Sequence, residues 1–135
     1  MSKKLSEIEG IGDSYAEKLV AAGVKNQEAL LNHGSTAKGR KELAEKAGVS
    51  EKRLLNWCNR ADLARIKGVG EEYADLLEHG GVDTVPELAQ RNAANLHEKL
   101  KEINEEKKLV RQTPSLSRVE DWVKQAKDLP RVITH

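Results

Sequence analysis

Two short stretches of this chain carry residue types that can hold a ligand, and in both those residues are glycines. Gly10-Ile11-Gly12 and Gly68-Val69-Gly70 each follow an isoleucine (Ile8, Ile66) and precede, three residues on, a tyrosine and an alanine (Tyr15-Ala16, Tyr73-Ala74). Paired glycines let the backbone turn sharply and leave the first N–H groups of the next helix without backbone acceptors, able to face an anion. The chemistry on offer is therefore phosphate binding by main-chain amides rather than bond making. Asp13-Ser14 and Glu71-Glu72 come directly after the turns. Carboxylates there stabilise the helix dipole and compete with phosphate. The second turn is the poorer anion site, although Arg65 and Lys67 stand just before it. The other reading is that both turns are architecture, packing one helix pair against the next.

A second set of candidate contacts lies in "RKELAEKAGVSEKRLLNWCNR", residues 40–60. Leu43-Ala44, Gly48-Val49-Ser50, Leu54 and Trp57 have the spacing of a helix-turn-helix, which would make "EKRLLNWCNR" a recognition helix. Its outward face would carry Lys52, Arg53, Asn56, Asn59 and Arg60, side chains able to meet phosphates and base edges. Lys38, Arg40 and Lys41 precede it and add phosphate contacts. The alternative is an ordinary pair of helices joined by a glycine C-cap and a serine N-cap. The second half of the chain favours that alternative, because "VRQTPSLSRVEDW" before Trp122 keeps the helix without the glycine turn.

Charge is segregated behind a formal net charge of only +1. Residues 1–37 carry −1, 38–67 carry +5, 68–106 carry −7 and 107–135 carry +4. Such blocks suit a polyanion partner for the basic part, a protein partner or self-association between acidic and basic blocks, or neutralisation inside one fold.

The remaining reactive side chains point away from catalysis. Cys58 excludes an internal disulfide and falls with Leu54, Trp57 and Ala61 on one helical face, where the other half of the chain has Val123, so it reads as a small core residue. Trp57 and Trp122 read as core anchors. His33, His79, His97 and His135 show no metal-ligand spacing, and His135 reads as part of a tail. Asp62 and Asp83 are isolated carboxylates suited to helix capping. No nucleophile triad, catalytic aspartate in a base-accepting pocket, metal set or cofactor motif is present, so we expect neither an enzyme nor a cofactor.

The elements that must position these residues are helices throughout, since period-two runs of β-branched residues are absent. Residues 8–24 and 66–82 match at eight of seventeen positions with an offset of 58. Ser50, Leu54, Trp57, Cys58 and Ala61 then fall on Ser115, Val119, Trp122, Val123 and Ala126 at an offset of 65, so the second copy has seven extra residues. They lie between Leu88 and Ser115, where Asn92 caps a long charged helix. Gly23 and Gly81 end the hairpin helices and Pro130 closes the last one. The expected organisation is 1–63 for the first repeat with two following helices and 64–135 for the second, joined without a linker into one continuous core. No apolar run reaches the roughly 20 residues that span a bilayer, and "MSKKLSEIEG" is no signal peptide, so a cytoplasmic protein with no membrane partner is expected.

The pattern apolar-x-Gly-apolar-Gly followed by an aromatic and Ala resembles the helix-hairpin-helix motif. From Leu5 to Pro130 the chain resembles a bacterial family of domains of unknown function, number 4332, with tandem helix-hairpin-helix elements. The stretches that carry the resemblance are "IEGIG", residues 39–110 and "VEDWVKQAKDLP". It implies an all-α fold, with tandem hairpin repeats packed into one compact domain, related to recombinase N-terminal and polymerase α C-terminal domains. In DNA-binding members of that superfamily the hairpin amides grip one strand's backbone, and protein partners also occur. Two readings follow. One is a non-enzymatic DNA-binding domain using Gly10, Ile11 and Gly12, Gly68, Val69 and Gly70, with Lys38, Arg40, Lys41, Lys52, Arg53, Asn56 and Arg60. The other is a protein-interaction or scaffold module whose hairpins are purely structural.

Overall fold

Side-chain oxygens fix most of the helix starts. In the computed structural model, which describes residues 4–8 and 10–134, a 3-10 turn (Leu5–Glu7) precedes α1 (Asp13–Ala21), α2 (Gln27–Gly34), α3 (Ala37–Ala47) and α4 (Glu51–Leu63). Then come α5 (Glu71–His79), α6 (Val85–Ala89), α7 (Ala93–Lys107) and α8 (Leu116–Asp128), with no strand among the described residues. Asn26, Thr36, Ser50, Asn92 and Ser115 accept from the N–H groups of Ala29, Gly39, Arg53, Asn95 and Arg118 at 2.8–3.3 Å, capping α2, α3, α4, α7 and α8. Each such cap contributes about 1 kcal/mol. Gly48 ends α3 in the left-handed region at φ +70, its N–H and that of Val49 both returning to Ala44 O. None of the helices among the described residues is long and apolar enough to cross a membrane.

The chain divides into two compact units. The first runs to Asp62 and takes in the chain again from Val132. In it, α2 packs on α3 and α1 on α3, around Leu19, Val24, Leu30, Leu54, Trp57 and Cys58. The second, Leu63–Arg131, packs α6 and α7 on α8 and α5 on α7, around Leu76, Leu77, Leu88, Leu96, Leu100, Val119 and Trp122. Burial of such side chains, each contributing about 1.5–3 kcal/mol, is what holds helices this short in place.

The seven extra residues of the second half go into α7, 15 residues against 11 in α3, and into its exit loop, 108–115. Asn104 ties that loop down: its Oδ1 accepts from Val110 N–H at 2.9 Å, and its Nδ2 donates to Val110 O at 3.1 Å and Thr113 Oγ1 at 3.3 Å. The end of the chain departs from the expected second segment, 64–135. Ile133 is buried in the first unit's core, and the Thr134 N–H and hydroxyl donate to Ser35 O at 2.8 and 3.1 Å. An apolar side chain and a backbone acceptor thus draw the terminus back to the first unit.

Candidate functional site

The two glycines of each turn have different physical reasons to be there. Gly10 and Gly68 sit at φ +93 and +97, a region open to glycine because it has no Cβ. A Cβ would also stand 3.4 Å from Trp57 Nε1 at Gly10 and 3.1 Å from Trp122 Nε1 at Gly68. The middle residue of each turn points inward: Ile11 is 3% and Val69 2% exposed. Their N–H groups close the turns onto Ile8 O and Ile66 O at 3.1 and 3.2 Å.

Gly12 and Gly70 are another matter. They lie at φ −85, ψ 179 and φ −96, ψ −170, ordinary extended backbone, and a Cβ on either would meet nothing within 4 Å. Both are helix N-caps, and neither α1 nor α5 has a side-chain cap. The first helical donors are Ala16, to Gly12 O at 3.0 Å, and Ala74, to Gly70 O at 2.9 Å. The N–H groups of residues 13–15 and 71–73 therefore lie outside the helical ladder, at exposed turns, where five other helices have a capping oxygen.

Behind each turn stands the same aromatic stack. Tyr15 tilts against Trp57 at 59° with ring centroids 5.1 Å apart, and Tyr73 against Trp122 at 56° and 5.2 Å. Arg53 lies 5.1 Å from the Tyr15 centroid and donates to its hydroxyl, with Lys18 Nζ 5.5 Å from the same ring. Because Tyr15 is in the first turn of α1, this brings two cations to the first glycine turn. Near the second turn, Gln125 exchanges hydrogen bonds with the Lys67 backbone, accepting from its N–H at 2.9 Å and donating to its carbonyl at 3.1 Å. Asp121 Oδ2 accepts from Gln125 Nε2 at 2.9 Å.

The expected contact residues separate on this geometry. Gly10, Gly12, Gly68 and Gly70 are exposed, as are Lys38 and Lys41 on α3 and Lys52 and Arg53 at the start of α4. Asn56 and Arg60 are half-buried. At the 65-residue offset they correspond to Asp121 and Gln125, the pair that holds the second turn. Arg40 is not a surface contact: it is 5% exposed, with Nη1 donating to Gly34 O at 2.8 Å and Nη2 to Thr134 O at 2.7 Å. A buried guanidinium committed to two backbone carbonyls is structural. Sequence reading gave no role to Arg118 or Gln125, although the same offset from Arg53 and Arg60 points to both.

Cys58 and the two tryptophans are core, as expected. Burial pushes the Cys58 thiol up to about 12, against the opposing pull of Arg40, and the thiol donates weakly to Leu30 O at 3.9 Å. Asp62 is fully buried in the last turn of α4, and Asp83 precedes the N-cap of α6, which is Thr84. No group of three or more His, Cys, Asp or Glu side chains placed to hold a metal ion occurs among the described residues.

An all-helical protein with two exposed glycine turns, each backed by an Arg–Tyr–Trp stack, is the class defined here. The family model for Domain of unknown function (DUF4332) matches residues 9–129, and the chain belongs to that family. Comparison with curated proteins and with solved structures gave no match.

Proposed function

We propose that the chain is a non-enzymatic DNA-binding module of helix-hairpin-helix type, whose first hairpin holds the phosphate backbone. The observation that carries this reading is the glycine at position 12, repeated at 70. Backbone conformation does not require it, packing does not require it, and it leaves a helix start uncapped. An external anion at that start supplies the missing acceptor, and a side chain at position 12 would stand in its path. In this reading the amides of residues 13–15 meet a phosphate, Arg53 and Lys18 add charge from the Tyr15 ring, and Lys52, Lys38 and Lys41 extend the basic surface. Arg40 takes no part, and Asn56 and Arg60 are half-buried at the positions that correspond to Asp121 and Gln125 of the second turn. The contacts are to backbone and carry no sequence information.

The test is a fluorescence-anisotropy titration of labelled duplex and single-stranded DNA at low and high salt, repeated with Lys52 and Arg53 changed to Glu. Salt-sensitive binding that the variant loses supports the proposal. Absence of binding at low salt defeats it. The exposed carboxylates of Asp13 and Glu72 at the helix starts then favour the scaffold reading, in which those acids merely stabilise α1 and α5. A mass that rises with concentration and falls with salt would support that reading.

A further inference from the structure

Arg118 stands in α8 where Arg53 stands in α4, 65 residues on, and Tyr73 stands where Tyr15 does, 58 residues on. The correspondence extends to contacts. The Arg118 guanidinium lies 5.8 Å from the Tyr73 centroid, and Nη1 donates to the Tyr73 hydroxyl at 3.4 Å, while that hydroxyl reaches Gln112 O at 3.4 Å. Both arginines are exposed, and neither has a carboxylate partner among the described residues. That is notable for Arg118, which Glu120 and Asp121 follow closely. Asp121 instead takes the Gln125 amide. A guanidinium has five N–H donors in a planar fork, and the tyrosine hydroxyl uses one direction of it. Seated on a ring, the side chain loses freedom before any ligand arrives, while enough of the fork remains for the two non-bridging oxygens of a phosphodiester. Arg118 also belongs to the 107–135 block, which carries a net charge of +4.

We propose that Arg118, held on Tyr73, is a second phosphate contact, so that the second unit joins in binding despite the acidic block around its glycine turn. This rests on the DNA-binding reading above. The measurement is the slope of log affinity against log salt, from about 50 to 200 mM, for labelled duplex DNA with wild type, Arg53→Gln, Arg118→Gln, the double variant and Lys101→Gln. Each phosphate contact removed should flatten the slope by about 0.9, so Arg53→Gln and Arg118→Gln lose equal amounts and the double variant loses about twice as much. Lys101, an α7 cation paired with Glu98 at 3.8 Å, is the control for general charge and should leave the slope unchanged. A wild-type slope in Arg118→Gln beside a flattened one in Arg53→Gln overturns the second contact and leaves the reading intact. Equal flattening by Lys101→Gln also overturns it, because the effect is then net charge. Wild-type protein without salt-dependent binding overturns the reading and this inference together.

Discussion

Replacing Gly12 by alanine separates what the fold needs from what a ligand needs. The backbone at φ −85, ψ 179 accepts any residue, and the new methyl would meet nothing within 4 Å. Alanine is a poorer N-cap than glycine by less than about 1 kcal/mol, and it recovers roughly 0.4–1 kcal/mol by restricting the unfolded chain. The two nearly cancel, so Gly12→Ala should unfold within about 2–3 °C of wild type, taking a few degrees per kcal/mol for a chain of this size. Gly10→Ala is the contrast: at φ +93 it forces a strained conformation costing about 1–3 kcal/mol, with Trp57 Nε1 at 3.4 Å from the new carbon. Gly68→Ala should be worse, since there the indole nitrogen is at 3.1 Å. Thermal unfolding followed by circular dichroism at 222 nm reads the stabilities, and anisotropy reads binding. If a phosphate approaches the α1 amides, the Gly12 methyl lies in its way, and loss of about 1.4 kcal/mol appears as tenfold weaker binding by a protein of normal stability. Normal stability with unchanged affinity refutes the inference from Gly12 to a ligand. A large drop in stability refutes the premise that the fold does not need this glycine.

Other expectations follow from single contacts. Cys58 should resist aromatic disulfide reagents until the protein unfolds. Its folded pKa of about 12, raised from 9.0 by burial, means that its contribution to stability is complete below about pH 9 and is lost as pH rises through 12. The stability difference between wild type and Cys58→Val should then fall by about 1.4 kcal/mol per pH unit above pH 9, and a flat difference in urea titrations across that range would count against the buried thiol. Arg40→Met should cost about 2–4 kcal/mol in urea unfolding, because two hydrogen bonds from a charged group disappear and the Gly34 and Thr134 carbonyls lose their donor; a loss under about 0.5 kcal/mol would show Arg40 to be dispensable. Gly34→Ala puts a carbon 2.4 Å from Cys58 Sγ, so it should destabilise by about 1–3 kcal/mol, and Cys58→Ala should relieve much of that in a double-mutant cycle. Additive effects would mean that the clash is not with the sulfur. Asp13→Asn should weaken α1 by about 0.3–1 kcal/mol yet raise DNA affinity, opposite signs that a purely structural turn would not produce.

The internal repeat made much of this fold legible. It located both glycine turns and the positive-φ glycines at 23 and 81, and it settled Cys58 as core because Val123 holds the same place. The caps at Ser50 and Asn92 were legible from residue type, since a short side-chain oxygen ahead of an apolar period has one favourable use. Arg40 was not legible. In sequence it is one more cation in a basic block, and what buries it is a carbonyl 94 residues away on a chain end that no local pattern assigns to the first unit. Ile133 shows why: a lone apolar residue near a terminus carries no periodicity, so only tertiary packing decides where it goes. Arg118 and Gln125 were readable through the 65-residue offset, yet composition drew attention to the +5 block and away from them.

The two glycines of a turn thus answer to different masters, and this is what turns a repeated motif into a functional argument. Gly10 and Gly68 are demanded by positive φ and by an indole close behind them, so their presence twice says only that the same turn is built twice. Gly12 and Gly70 are demanded by nothing within their own units, at a position where serine or aspartate would cap the helix more firmly by a few tenths of a kcal/mol. A small forgone stabilisation, present in both units together with an arginine seated on the adjacent tyrosine, is the observation on which the proposal of an external anion rests. On the DNA-binding proposal, the carboxylates at Asp13 and Glu72 would limit the affinity of each turn without removing its geometry, leaving binding control to a few surface charges.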